Sequence, residues 1–226
     1  MANKEIFHFD HIISSDISAI MSTEVFLSSR KNIAENLGYN TESLAIPQQI
    51  HSTNVLFVNS SGEFKNCDGL ITDNPNVVLS LRTADCIPIF LYDMVTGLRG
   101  LVHAGWRGVV GGIACNAIEL MVNHQSIVEN IQVLLGPSIC KHCFEVGGEV
   151  AAKFDKNCVV TGKNKKYFAN LHAQVRLQLL KYKISENKIH MSNICTFENK
   201  DCCSYRRDGE NAGRMYSFMG VKNGFN

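Results

Sequence analysis

The chain has 226 residues, 45% of them apolar, 19% charged, and a formal net charge of +1 from 22 basic and 21 acidic side chains. A chain of this length and apolar content can close a full hydrophobic core, which excludes a disordered or collagen-like polypeptide. So even a balance of charge gives no global field for holding polyanions, so neither nucleic acid nor an anionic membrane is expected as a partner.

In chain order, the N-terminal stretch MANKEIFHFDHIISSDISAIM mixes charge and histidine where a signal peptide would be apolar. No apolar run reaches the roughly 20 residues of a membrane span, and a cytoplasmic location is expected. Short β-branched runs predict strands at 55–59, 77–81, 87–92, 98–103 and 131–135. Two of them, IPIFLY and IQVLL, are continuous rather than alternating, the pattern of a strand buried on both faces. Helical spacing is found at 109–124, at 146–154, and in Phe168, Leu171, Val175, Leu179 and Tyr182, which step by three or four along one face. With no linker or repeat, residues 1–226 read as a single domain of the α+β or α/β class, a mixed β-sheet with flanking helices.

Nine cysteines, at 67, 86, 115, 140, 143, 158, 195, 202 and 203, are too many to dismiss and, without a secretion signal, poorly explained by disulfides. His51, Cys86 and His103 fall at predicted strand ends. Two imidazoles and a thiolate make a zinc set with an open fourth position, but the long spacing leaves two strand-end histidines and a buried thiol as the other reading. Gly105, Gly108, Gly111 and Gly112 bracket a helix start with Arg107 inside the turn. They read either as an anion cradle or as a tight strand-to-helix turn. Cys140-Lys141-His142-Cys143 could be half a zinc site or a redox pair. Its matching half is missing if Cys202 and Cys203 are the candidates, since adjacent cysteines rarely ligate one tetrahedral ion. Tyr205-Arg206-Arg207-Asp208 with Arg214 reads as a phosphate clamp or as ion pairs to Asp208 and Glu210.

These residues lie within a longer run of motifs: QIHSTNV at 49–55, CDGLIT at 67–72, TADCIP at 83–88, HAGWRG at 103–108, LGPSICKHCFEVG at 135–147, NLHAQVRLQL at 170–179, ICTF at 194–197, SYRRDG at 204–209 and GRM at 213–215. In order and content the chain resembles the YfiH family, the laccase-domain or polyphenol-oxidase-like proteins. The resemblance implies a mixed-sheet sandwich and a zinc site on His51, Cys86 and His103, which would also be the catalytic residues. It further implies purine nucleoside phosphorylase activity on adenosine, inosine and 5′-methylthioadenosine, with adenosine deaminase activity beside it. A purine nucleoside and phosphate are then the expected partners, and Arg107, Arg206 and Cys143 the expected substrate-binding residues.

Two features depart from that pattern. The region HIISSDISAIMSTEVFLSS lacks the arginine and glycines usual in the family's N-terminal loop, and Ser52 replaces the glycine of the usual QxHG. The laccase label also meets a chemical objection. A trinuclear copper cluster is built from His-x-His pairs, and among eight histidines this chain has no such pair. A copper-binding oxidoreductase nevertheless stays open as an alternative, because copper outcompetes zinc at histidine and cysteine ligands. A metal-independent hydrolase with Cys86 as nucleophile is the other.

Overall fold

Side-chain alternation along the central strands sets the layers. In the computed structural model, which describes residues 6–13, 16–23 and 29–221, strand Ile87–Asp93 is buried along its whole length. Ile87, Ile89 and Leu91 join one core with helical residues, while Phe90 and Tyr92 point into a second core on the opposite face. A continuous apolar run is what such a two-sided strand requires.

Two six-stranded sheets result. The first runs, in spatial order, Ile6–His8, Ile17–Ser22, Met215–Val221, Val78–Thr83, Leu44–Pro47 and Gly62–Phe64. The second runs Ile189–Met191, Ile131–Leu135, Ile87–Asp93, Arg99–Ala104, Gly69–Thr72 and Val55–Phe57. Both are mixed: Leu44–Pro47 lies parallel to its two neighbours, and Val55–Phe57 and Ile189–Met191 lie parallel to theirs, while the central pairs are antiparallel. A small third sheet joins Glu145–Val146, Tyr167–Ala169 and Val159–Thr161.

The sheets face each other across a core that includes Met21, Leu79, Leu81 and Met219 from the first and Leu70, Phe90 and Leu101 from the second. Helix Arg30–Asn36 covers the outer face of the first sheet through Ile33 and Ala34. Helices Ile113–Asn123 and Leu171–Lys181 cover the outer face of the second through Ala117, Met121, Val175 and Leu179. The architecture is therefore a mixed α+β sandwich with helices on both outer faces. It has the mixed sheet and flanking helices read from the residues and the sandwich that the family resemblance implies. No helix of the described residues is long and apolar enough to cross a membrane.

Three helical expectations are corrected. The stretch 109–124 is two helices, Trp106–Val110 and Ile113–Asn123, because Gly112 adopts φ +82° and breaks the run. The helix expected at 146–154 shrinks to Gly148–Ala151, since Glu145 and Val146 pair with Phe168 and Tyr167 in the small sheet. For the same reason Phe168 is a strand residue. The third helix starts at Leu171, capped by the Asn170 side chain, which accepts from the Ala173 N–H at 3.0 Å. Of the divergent N-terminal region, Ile17–Ser22 forms a strand against Met215–Val221, while residues 14–15 and 24–28 lie outside the described residues.

Phe90 is fully buried between the sheets. Phe90→Ala is predicted to cost about 3–5 kcal/mol, read as a lower midpoint in denaturant unfolding; a loss below about 1 kcal/mol would show that this core is not the main one.

Candidate active site

His103 lies near the end of strand Arg99–Ala104 and Cys86 immediately before strand Ile87–Asp93, and the antiparallel register pairs Pro88 with His103. Adjacent central strands thus deliver a thiol and an imidazole to the same end of the sheet. His51 arrives differently. It sits not at a strand end, as its spacing suggests, but in the loop after Leu44–Pro47, at φ +60°. Gln49 pins the start of that loop: its side-chain amide donates to the Arg82 carbonyl at 2.7 Å, and its side-chain carbonyl accepts the Arg82 N–H at 2.9 Å.

Asp68 holds the rest. Its carboxylate is fully buried and accepts the backbone N–H groups of Ile50, His51 and Ser52 at 3.2, 2.9 and 2.7 Å. It also accepts the Ser52 hydroxyl at 2.7 Å and the His103 Nδ1–H at 2.8 Å. The serine that departs from QxHG therefore adds a donor to this carboxylate. Burial pushes Asp68 up, but the hydrogen bonds from His103 and Ser52 outweigh it and hold the carboxyl down at about 2.

The donor atoms of His51, Cys86 and His103 all lie within 4.8 Å of one another. The two imidazole rings meet edge to face, with centroids 4.9 Å apart. Burial pushes the Cys86 thiol up, yet hydrogen bonds and charge from His103 and His51 overcome it and bring it down to about 7. Burial lowers His103, and its bonds to Asp68 and Cys86 overcome that and raise it to about 9. The metal-free protein therefore favours a thiolate beside an imidazolium.

The cluster opens into a cavity of about 660 Å³. Arg82, Arg107, Arg206 and Arg214 line it, and Trp106, Ile139, Phe144 and Val150 supply apolar wall. Arg107 stacks on Trp106 with its guanidinium carbon 4.4 Å from the ring centroid, and Arg206 lies 5.4 Å over Phe144. The arginine pair near the C-terminus divides. Arg206 reaches the cavity, whereas Arg207 ties down the preceding loop through the carbonyls of Thr196, Phe197, Asn199 and Cys202 and pairs with Asp208.

Cys143 does not line this cavity. Its thiol faces Cys140 and Glu198, and only its carbonyl connects to the site, accepting from Arg206 Nη1 at 3.3 Å. Cys202 and Cys203 are buried in the core between the sheets, and the groups that stand beside Cys140 and Cys143 are Cys195 and Glu198. Two residues that sequence reasoning passed over prove central. Asp68 stands inside the quoted CDGLIT motif. Asp85, at φ +84° just before Cys86, accepts the Thr196 hydroxyl at 2.6 Å and the Arg206 N–H at 2.7 Å.

Residues 22–222 match the sequence profile of a family described as multi-copper polyphenol oxidoreductase laccase. The chain belongs to this family. Among its relatives, adenosine deaminase RL5 of an unknown prokaryotic organism is 34% identical over 212 residues, covering 84% of this chain and 80% of the relative. The purine nucleoside phosphorylase of Deinococcus radiodurans is 34% identical over 196 residues, covering 85% and 76%. The hypothetical protein YfiH of Bacillus licheniformis superposes with a TM-score of 0.88 at 25% identity, covering 98% of each chain. YlmD of Geobacillus stearothermophilus superposes at 0.86 with 27% identity, covering 92% of this chain and 93% of that one.

In metal-free protein, alkylation of Cys86, followed on its own peptide by mass spectrometry, is predicted to be half-maximal near pH 7. A midpoint at about 8.5, the value of an ordinary thiol, would contradict the thiolate–imidazolium pair. Asp68→Asn removes the negative charge that helps keep His103 protonated, so it should move that midpoint upward. The same change is predicted to weaken zinc binding at this cluster about 10–100-fold by titration; unchanged affinity would show that Asp68 does not orient the histidines.

Proposed function

We propose that the chain is a zinc-dependent purine nucleoside phosphorylase that also deaminates adenosine, with His51, Cys86 and His103 holding the metal and Arg107 and Arg206 binding substrate. The observation that carries this reading is the convergence of that donor set, an arginine-lined rim and an aromatic wall on one cavity.

The residues fit a catalytic metal. Three mixed nitrogen and sulfur donors leave a fourth position toward the cavity, the pattern of catalytic rather than structural zinc. Gly105 keeps the cradle open: a Cβ there would stand 2.9 Å from His51 Cδ2 and 3.1 Å from Cys86 Sγ. Asp68 fixes the His103 tautomer by holding its Nδ1 proton, which turns Nε2 toward Cys86. When bound, the ion supplies Lewis acidity to polarise the substrate.

For phosphorolysis, the arginines offer planar, permanently charged forks to hydrogenphosphate, and Phe144 and Trp106 offer faces to a purine. A phosphate oxygen bonds to the anomeric carbon as the bond from that carbon to the purine nitrogen breaks. The bonding pair stays with the nitrogen, which takes up the phosphate's proton, giving the free base and the sugar phosphate. Deamination needs water in place of phosphate and releases ammonia and inosine. The names of the relatives support both activities in this family.

A second reading has one observation in its favour, the lowered Cys86 thiol beside His103. That pair suits a metal-independent thiol nucleophile. Adenosine incubated with zinc-loaded protein and phosphate should yield adenine, or inosine without phosphate, and both should vanish on chelation and in Cys86→Ala. Turnover that survives a chelator but not alkylation would favour the thiol reading, and a zinc-loaded protein inert on every purine nucleoside would overturn the proposal. Arg206→Ala is predicted to raise the KM for phosphate about tenfold or more, since a charge-assisted hydrogen bond contributes about 1.5–3 kcal/mol. An unchanged value would remove Arg206 from the substrate site.

A further inference from the structure

Beside the active-site cavity stands a second cluster of donors that the proposed reaction does not use. Cys140 and Cys143 belong to one turn, in which the Cys140 carbonyl accepts the N–H groups of Cys143 and Phe144, each at 3.0 Å. Cys195 pairs with Ser138 in an isolated bridge, and Glu198 belongs to the turn that follows it. The four donor atoms lie within 4.8 Å of one another. In sequence the arrangement is Cys-x-x-Cys followed by Cys-x-x-Glu, two half-sites of equal spacing with a carboxylate in the last place.

The distances have the proportions of a tetrahedron. With Zn–S of about 2.3 Å and Zn–O of about 2.0 Å, the edges of a tetrahedral site are about 3.8 Å between sulfurs and about 3.5 Å between sulfur and oxygen. The Cys140–Cys143 Sγ separation is 3.6 Å and the Cys143 Sγ–Glu198 Oε1 separation is 3.4 Å. The Cys140 N–H donates to Cys195 Sγ at 3.3 Å, the kind of backbone donor that supports a metal-bound thiolate. A disulfide would account for two of these groups and leave the other two unexplained.

We infer that Cys140, Cys143, Cys195 and Glu198 form a second, structural zinc site, closed by four protein ligands and separate from the His51–Cys86–His103 cluster. Three thiolates select a soft, tetrahedral ion, and a full set of four leaves no position for substrate. The site clamps the 140–143 turn to the 195–198 loop. Both segments serve the cavity: the Cys143 carbonyl holds Arg206, Phe144 forms wall, and Thr196 donates to Asp85 beside Cys86. This inference is independent of the purine reading, since the site is defined by its metal and not by turnover.

Two measurements on the full chain test it. Zinc analysis of a variant carrying Cys86→Ser and His103→Ala, with the first cluster disabled, should still find one zinc per chain. Cobalt exchanged into that variant should show intense thiolate charge-transfer absorption, and adding Cys140→Ser should abolish both. A variant without bound metal, or one whose metal survives Cys140→Ser undiminished, would overturn the inference. The second measurement uses wild-type protein, so that a failure of the variants to fold does not decide the matter. Peptides containing Cys140, Cys143 and Cys195 should resist iodoacetamide until a chelator is added and react afterwards. Equal labelling before and after chelation, or recovery of a Cys140–Cys143 disulfide, would overturn it.

Discussion

The buried carboxylate of Asp68 is the constraint on which the site depends. Taking a charge out of water costs several kcal/mol in a real protein interior unless hydrogen bonds replace the lost hydration. Here five donors do so, and they come from two parts of the chain: the 50–52 loop and His103 at the end of a central strand. The compensation is therefore also a positional lock. The residue that neutralises its own burial fixes a histidine on a loop against a histidine on a strand. Cys86 is held by a parallel device, in which Asp85 in a left-handed conformation accepts from Thr196 and from the backbone of Arg206.

Around that lock the protein places two donor sets of different character. The set with His51, Cys86 and His103 has three members and borders a large cavity, an arrangement suited to chemistry. The set with Cys140, Cys143, Cys195 and Glu198 has four members, enough to fill a tetrahedral shell, an arrangement suited to holding segments together. Arg206 bridges the two regions, since it lines the cavity while donating to the carbonyl of Cys143. The proposed second metal would thereby brace one wall of the proposed substrate site.

The buried central strands were legible because burial on two faces writes itself as runs that do not alternate, as in IPIFLY and IQVLL, whereas the sandwich itself was implied by the motif resemblance. Strand Ile131–Leu135 has the bounds that its composition predicts. The helices were less legible where glycines or strand pairing intervened, at Gly112 and at Glu145–Val146. The three members of the first donor set were visible as residue types but not as neighbours, because 35 and 17 residues separate them and only the strand register and the Asp68 lock bring them together. Asp68 itself left no local signal, since a carboxylate that binds backbone N–H groups carries no periodicity. Glu198 was missed for a chemical reason: a search for a second Cys-x-x-Cys passes over a glutamate in the last position.

The proposed metal centre, two histidines and one thiolate, rests on the single carboxylate lock of Asp68. X-ray absorption at the zinc edge tests it most directly, applied to protein with Cys140→Ser so that a single metal remains. The expected first shell has one sulfur near about 2.3 Å and nitrogens near about 2.0–2.1 Å, with the outer-shell scattering of two imidazoles. A shell dominated by sulfur, or one without imidazole scattering, would contradict it.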